Sequence, residues 1–413
     1  MSDPAVNDVA DTPVPSREFR LYASAVSVSV VGDRVALIAL IFLIIRLGHG
    51  FAPALGLFYV VRVLPSLILG LPVGALIDRV DRGRVLVLCD VGRFVLLILV
   101  PALTALSLWL IYPIVLVLYG LTLFFDTAAN AALPDIVPEG SLTHANSVLR
   151  GINTAADIAY AAGGIMVAAL RPAIPFYIDA ATFLFSAMLV IQMRVPRVAA
   201  ASSADGIARR IRDGISYLLS NPFLRWSTVT MTLAPLAGGA VFVVAPIYAT
   251  RTLTQGPLPG PLVSGAFRFS VLEVSLGLGA LAGSWATSRL VRRLPRGRLF
   301  GFGIVGMGLA YLSFAVVHSL YAAIPLMAVS GFFNSLFIIP GMTLVQSLTP
   351  SEMRGRVVAG RGTIIQTSLA LGSAIGGVLL TVVSPTLMWL ILGLTVCGSS
   401  LAIWLHPQVR GQR

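Results

Sequence analysis

The sequence predicts an all-α integral membrane protein with twelve transmembrane helices in two six-helix bundles, on three observations. The 413-residue chain is 57% hydrophobic, has a mean hydropathy of +0.91, and carries only 11% charged residues; a soluble domain carries about 25%. Apolar runs of about 20 residues, long enough to cross a bilayer, recur twelve times along it. The arginines between those runs fall almost entirely on one side. This composition excludes a soluble enzyme, a disordered chain and a nucleic-acid binder. The net charge of +12 marks a membrane face rather than a nucleic-acid footprint.

The runs lie near 20–46, 52–77, 85–108, 111–133, 146–170, 173–193, 223–249, 264–288, 299–317, 320–345, 357–382 and 385–405. Residues 1–18 form a polar tail with Asp3, Asp8 and Asp11. It lacks the basic start and short apolar core of a signal peptide and is read as cytoplasmic. A first bundle (19–193) and a second (223–406) flank a polar linker, 194–222, and a short tail, 407–413, closes the chain. In the linker Ile207, Ile211, Ile215 and Leu218 recur at helical spacing, with Arg209, Arg210 and Arg212 on other faces, which predicts an amphipathic helix on the membrane surface. Asn221-Pro222 ends it.

Orientation follows from the positive-inside bias. All 29 basic residues are arginine, which with abundant Ala, Val, Gly and Leu suggests a GC-rich bacterial genome. With the N-terminus inside, nineteen arginines fall in cytoplasmic segments and three (Arg46, Arg171 and Arg251) in the opposite loops. That asymmetry predicts an even number of spans, both termini cytoplasmic, in the inner membrane of a bacterium.

The two halves echo one another. Arg82-Gly83-Arg84 after span two is matched by Arg296-Gly297-Arg298 after span eight, and Arg150-Gly151 by Arg361-Gly362. Gly163-Gly164 is matched by Gly376-Gly377, and Pro138-Glu139 by Pro350-Ser351-Glu352. Related six-span halves in parallel orientation are the plan of rocking-bundle transporters. Glycines at 277, 279 and 283, and at 301, 303, 306 and 308, read as close-packing positions. Gly256-Pro257-Leu258-Pro259-Gly260-Pro261 reads as a stiff outer loop.

After span two the chain reads Gly74-Ala75-Leu76-Ile77-Asp78-Arg79-Val80-Asp81-Arg82-Gly83-Arg84. Gly74 permits close helix approach, and Asp78 sets a carboxylate at a helix end where it can face the positive N-terminus of another helix. Asp90 and Arg93, one turn apart, extend this charge cluster. The segment resembles the cytoplasmic loop motif of the major facilitator superfamily. Gly32-Asp33-Arg34, Leu123-Phe124-Phe125-Asp126, Ala132-Leu133-Pro134-Asp135-Ile136-Val137-Pro138, Gly214-Ile215-Ser216-Tyr217-Leu218-Leu219-Ser220-Asn221-Pro222 and Met353-Arg354-Gly355-Arg356-Val357 resemble its enterobactin-exporter and macrolide-efflux branch. The resemblance implies solute export driven by a proton gradient, with Asp78 meeting the start of span eleven. The chain departs from many antiporters at Tyr119-Gly120, where an arginine is missing, and at Ala159-Tyr160-Ala161-Ala162-Gly163-Gly164, which lacks the Gly-Pro pair. Thr287 stands near the place of Asp78's counterpart.

Charges inside the membrane are costly and tend to mark function. Asp33 lies near the middle of span one, with Ser29 one turn earlier. Tyr112, Tyr119, Thr122, Asp126 and Asn130 form a polar stripe on span four; Asn146, Arg150, Asn153 and Asp157 form another on span five. Such stripes face the bundle interior, so spans one, four and five line a path. Asp33, Asp126, Glu273 and Asp157 are the candidates for carrying a proton, in that order. The structural alternative is a static pair such as Asp33–Arg62 or Asp157–Arg150. Arg62, Tyr119, Asn130, Arg150, Asn153, Asn334, Arg361 and Gln366 are candidates for the substrate path, and Asp179 sits in the outer part of span six. Trp226, Phe242 and Phe333 join Tyr119 and Phe125 as aromatic wall candidates.

The functional expectation is export of an amphipathic small molecule with proton entry, by a monomer whose partners are substrate and lipid bilayer. No cofactor, metal or nucleic acid is expected; Cys89 and Cys397 lie far apart, and no phosphate loop is present. Uptake of a nutrient or lipid is the alternative, followed by a non-transporting membrane partner. No nucleophile–base pair points to an enzyme.

Overall fold

The computed structural model describes residues 16–138, 141–195, 216–220, 222–253 and 264–405. The tails, the proline-rich loop at 256–261, Glu139 and most of the linker lie outside these residues. Of the linker's apolar stripe only Leu218 is described, and it is fully buried.

Among the described residues the chain forms fourteen α-helices and one short 3₁₀ turn. The first half holds α1 (Arg17–Leu47), α2 (Ala52–Ile77), α3 (Arg82–Leu106), α4 (Ile111–Ile136), α5 (Leu142–Ala156), α6 (Ala159–Ala169) and α7 (Ile174–Val190). The second holds α8 (Pro222–Arg251), α9 (Gly265–Leu290), α10 (Arg296–Phe314), α11 (Leu320–Ser347), α12 (Ser351–Leu379), α13 (Pro385–Ser399) and α14 (Leu401–Trp404). Ten spans are long and apolar enough to cross a membrane, and α7 and α13 are shorter apolar helices. Together they are the twelve spans read from the sequence.

Local chemistry sets the ends. The Ser16 hydroxyl accepts the Phe19 amide at 3.0 Å to cap α1 and donates to the Ile136 carbonyl, tying the start of α1 to the end of α4. Asp81 caps α3 by accepting the Arg84 amide at 3.1 Å. Such caps satisfy amides that have no partner inside the helix.

Span five differs from the continuous helix expected. It breaks at Asp157–Ile158, where the Asp157 amide turns to the Thr154 carbonyl and the Ile158 amide to that of Ala155, both at 3.2 Å. These are tighter, 3₁₀-type bonds, which in mid-helix often mark a hinge. Span five is thus α5 followed by α6.

Packing reproduces the internal repeat. In the first half α1 packs on α5–α6 and α7, α3 on α4 and α7, and α2 on α4. In the second, α8 packs on α12 and α13, α10 on α11 and α13, and α9 on α11. Each pairing has its counterpart six spans on. Across the halves α2 meets α12 and α6 meets α9, again the same pair under the repeat.

Glycine makes the closest of these contacts. A Cβ on Gly279 would lie 1.9 Å from the Ala328 carbonyl oxygen, and one on Gly331 2.0 Å from that of Leu276, so α9 and α11 meet backbone to backbone. Gly239 and Gly372 do the same for α8 and α12. The glycines of span eight at 279 and 283 are therefore packing positions, as expected.

The contacts between halves cluster away from the arginine-rich end. There Gly56 of α2 lies against Ser373 and Gly377 of α12, Gly164 of α6 against Ala266 and Ser270 of α9, and the Phe42 ring 6.1 Å from that of Phe269. At the arginine-rich end Gly70, Gly74, Gly151, Gly355 and Gly362 have nothing within 4 Å of an added Cβ. The halves form a V that opens on that end. In a protein with both native cysteines replaced, Gly74→Cys, Gly151→Cys and Gly355→Cys should react with a water-soluble maleimide about 100-fold faster than Ala240→Cys, whose site is buried. Equal rates would contradict the V.

Candidate functional site

A cavity of about 750 Å³ fills the first-half side of the V, within the size range of small-molecule sites. Its walls are α1 from Tyr22 to Leu40, α4 from Leu118 to Asn130 and α5 from Asn146 to Asp157, with Arg62 of α2, Arg93 of α3 and Asp179 of α7. Tyr22, Asn130 and Asn146 stand near the helix ends on the arginine-rich side, so the cavity runs from that side past the middle of the bundle. Asp33, Asp126, Asp157, Arg62, Tyr119, Asn130, Arg150 and Asn153, all read from the sequence, line it together. The polar stripes of spans four and five face inward because hydrocarbon offers their side chains no partner.

Four acids (Asp33, Asp126, Asp157 and Asp179) and four arginines (Arg34, Arg62, Arg93 and Arg150) face this space. Their pairing differs from the static pairs considered above. Asp157 is held by Arg34, not Arg150: Nε to Oδ1 is 3.0 Å, and the Arg34 guanidinium lies 5.4 Å from the Tyr160 ring. Arg150 is exposed to the cavity. Arg62 sits over the Tyr119 ring at 4.9 Å rather than within ion-pair distance of Asp33. Asp33 and Asp126 face the cavity without a direct ion pair among the described residues, and Asp33 lies in the field of Arg93, Arg34 and Arg62.

Arg93 is almost wholly buried. It pairs closely with Asp90, whose other oxygen accepts the Ser186 hydroxyl at 2.7 Å, and its guanidinium is sandwiched between Phe125 and Phe183 at 4.3 and 4.2 Å. Arg93 therefore belongs to the cavity wall, with Asp90 buried behind it, and neither joins the Asp78 cluster. The reason is geometric: two to three turns into α3 both side chains point at α7, whereas Asp78 points outward. Asp78 does not meet span eleven. It is half exposed and lies 3.8 Å from Arg82, which bonds Asp135 at 2.8 Å and the Ala131 carbonyl at 2.9 Å. Arg79 is exposed, and Arg84 pairs with Asp81 at 3.8 Å. Gly74 has no neighbour to approach, because the V is open there.

In the second half Glu273 lies at the floor of the cleft. Gly277, one turn further along α9, places its would-be Cβ 3.8 Å from the Asp157 Cβ, and Glu273 is within electrostatic range of both Asp157 and Arg34. The other second-half candidates do not line the cavity. Asn334 donates to the Met307 sulfur at 3.6 Å, and Gln366 is half-buried elsewhere on α12. Arg361 is buried, with Nη1 donating to the Gly341 carbonyl at 3.1 Å and Nη2 lying 2.9 Å from the Met231 sulfur. Phe125 serves Arg93, and Phe242 stacks on Tyr59 at 5.2 Å, across the halves. Arg34 and Asp179 are wall residues, and Tyr160 is a ring beneath Arg34, that the sequence analysis did not assign a role. The one signal for them was Gly32, a glycine directly beside an intramembrane acid.

Comparison with known proteins follows the same lines. Residues 10–408 match the family model described as transmembrane secretion effector, of major facilitator type. The chain is 28% identical to an uncharacterized MFS-type transporter, YfiS, of Bacillus subtilis, covering 89% of this chain and 88% of that one. It is 24% identical to the multidrug efflux pump Tap of Mycolicibacterium fortuitum, covering 84% and 85%. With the enterobactin exporter EntS of Salmonella typhi it shares 26% identity over 78% and 76%. Among solved structures, a bacterial homologue of the iron transporter ferroportin in an inward-facing state superposes with a TM-score of 0.71 at 18% identity, covering 94% and 97%.

Proposed function

Since the chain belongs to the major facilitator family of transmembrane secretion effectors, and so is a multi-pass membrane transporter and not an enzyme, we propose that it exports an amphipathic small molecule in exchange for protons. The observation that carries this reading is the charged cavity in the first half, open at the arginine-rich end. By the positive-inside bias that end faces the cytoplasm, and an opening there supports loading of cargo from inside. A transporter of this plan binds its substrate between the halves and rocks around it. The efflux relatives Tap and EntS support the outward direction.

The mixed lining suits an amphipathic molecule. Leu37, Leu40 and Leu118 offer apolar surface deep in the cavity, and the acids and arginines offer oriented polar contacts. Asp33 stands among three arginines without a direct pair, so adding a proton there releases their field to other groups. Closing the arginine-rich end then brings Gly74 and Asp78 toward the start of α12, the contact that the open V lacks. The protein works in the bacterial inner membrane as a monomer, with the proton gradient as its energy source and no cofactor.

The test is accumulation of ethidium, a macrolide and a siderophore by inside-out vesicles from an efflux-deficient host, with and without a proton gradient. Wild type should accumulate at least one of them only with the gradient, and Asp33→Asn should lower that accumulation by about tenfold or more. Accumulation that ignores the gradient would remove proton coupling from the reading. Gradient-driven release instead of accumulation would reverse the direction to import.

A further inference from the structure

The hairpins that follow spans two and eight match under the internal repeat, yet their charges are handled differently. In the first, Arg82 is engaged by Asp78 and Asp135, and Arg84 by Asp81. The second sets Arg289, Arg292, Arg293, Arg296 and Arg298 between the end of α9 and the start of α10. With Arg296-Gly297-Arg298 laid on Arg82-Gly83-Arg84, Arg292 and Pro295 stand where the first hairpin has Asp78 and Asp81. The sequence holds no Asp or Glu between Glu273 and Glu352. Arg289, Arg292, Arg293 and Arg298 are exposed, and none of the four has an ion pair among the described residues. One hairpin is neutralised within itself, and the other is not.

The helix leading into the second hairpin carries an apolar face turned outward. Leu278, Leu281 and Trp285 are 55%, 49% and 62% exposed. With Arg289 they recur at helical spacing along one side of α9. The contacts of α9 with α11, at Gly279 and Gly283, fall on another side, and Gly277 turns toward Asp157. The Arg289 guanidinium lies 3.5 Å from the Trp285 ring centroid. Stacking covers one face of the guanidinium and leaves the N–H donors at its edge, the fork that grips phosphate oxygens in pairs. An exposed tryptophan at the end of a span sits at headgroup level, so the pair lies at the depth of the lipid phosphates. Membrane orientation alone requires only an excess of arginine on this side. It does not require that acids be excluded, or that a guanidinium be stacked on an exposed indole.

We propose that the α9–α10 hairpin is a binding site for an anionic phospholipid of the leaflet it faces. Arg289, backed by Trp285, takes the phosphate; Arg292, Arg293 and Arg298 supply the surrounding field; an acyl chain lies along Leu281 and Leu278. Basic clusters of this size beside a spanning helix attract anionic lipid. The inference goes beyond the export reading and holds for either direction of transport. Its consequence is unequal anchoring: the second half is tied to the headgroups, and the first, whose hairpin is neutralised internally, is not.

Two measurements on the full-length protein decide it, and neither needs transport. The first is native mass spectrometry of detergent-purified protein titrated with phosphatidylglycerol or phosphatidylcholine of identical acyl chains. Wild type should bind a first phosphatidylglycerol saturably and about tenfold or more tighter than phosphatidylcholine. Arg289→Gln/Arg293→Gln should weaken phosphatidylglycerol about 25-fold, about fivefold for each arginine, and leave phosphatidylcholine unchanged. Arg79→Gln, exposed in the first hairpin, should change neither by more than about twofold. Arg289→Lys keeps the charge without the fork and should fall between wild type and the double variant. Equal binding of the two lipids, no loss in the double variant, or the same loss in Arg79→Gln overturns the site. Displacement of phosphatidylglycerol by inorganic phosphate, at matched ionic strength, would make it a site for free anions and overturn the lipid assignment.

The second is tryptophan emission in nanodiscs containing brominated phosphatidylglycerol or brominated phosphatidylcholine. Wild type should be quenched more by the anionic lipid. That excess should disappear in Trp285→Leu and in Arg289→Gln/Arg293→Gln. An excess that survives Trp285→Leu places the lipid elsewhere and overturns the proposal.

Discussion

Gly372→Val should leave no stable protein. A Cβ at residue 372 would sit 1.8 Å from the Leu236 carbonyl oxygen and 3.0 Å from the Leu236 Cα. Both are backbone atoms of α8, in a helix that cannot yield locally, so the two helices must part along their length. Overpacking of a flexible core costs about 1–3 kcal/mol; here two backbones are in contact and relief by rotamer change is unavailable, so the cost lies at or above that range. Size-exclusion profiles after stepped heating would read it as loss of the monodisperse peak. Gly74→Val is the control. Nothing lies within 4 Å of an added Cβ there, so the melting profile should match wild type to within about 0.5 kcal/mol. Its driven transport should nevertheless vanish, because the closed state needs that surface. A stable Gly372→Val protein would contradict the α8–α12 approach, and a fully active Gly74→Val protein would contradict closure at that end.

Arg34→Ala should damage the protein more than Asp157→Ala. The pair is partly exposed to the cavity, so its loss should cost about 1–2 kcal/mol rather than the 3–5 of a fully buried pair. The asymmetry comes from the third member. Without Arg34, Asp157 and Glu273 face one another across the two halves with no cation between them, at the floor of the cleft. Without Asp157, Arg34 still has Glu273 in range. Driven ethidium accumulation should fall about tenfold further in Arg34→Ala than in Asp157→Ala. The exchanged double variant Arg34→Asp/Asp157→Arg should regain thermal stability relative to Arg34→Ala. Equal losses in the two single variants would mean that Glu273 takes no part.

Much of this architecture is legible in the sequence because the bilayer imposes simple rules. Twelve apolar runs give the spans, and the polar stripes Tyr119–Asp126–Asn130 and Asn146–Arg150–Asn153–Asp157 had to face inward, as they do. What the sequence does not carry is which charge meets which. Asp157 and Arg150 are two turns apart on one helix and look like partners, yet Arg34 on another span takes that place. Asp90 and Arg93 pair as their spacing suggests, but the helix rotation turns them to α7 and away from Asp78. Arg361, matched to Arg150 by the repeat, is buried among sulfur and carbonyl groups while Arg150 stands in the cavity, so the repeat predicts position but not environment. Asp179 was visible only as one acid in an apolar run; that it packs against Gly32 appears only in the fold. The break at Asp157 has no proline or glycine to announce it; beyond it α6 packs on α1 and α9.

Among the described residues, the far seal between the halves is made of glycine faces, two aromatic pairs and one hydrogen bond from Arg251 to the Gly50 carbonyl at 3.0 Å. The ion pairs Arg34–Asp157, Arg82–Asp135 and Arg93–Asp90 all stay inside the first half. A latch of this kind has no key. Most of its strength is a sum of dispersion contacts of about 0.1–0.2 kcal/mol each, and few side chains must leave a socket for it to part. Ionic strength should therefore change how often it opens only through Arg251 and the Glu273–Arg34–Asp157 group. Bilayer thickness and lateral pressure, which act on contact area between tilting helices, become the natural throttle on turnover, and membrane composition would regulate the protein without binding to any one place on it.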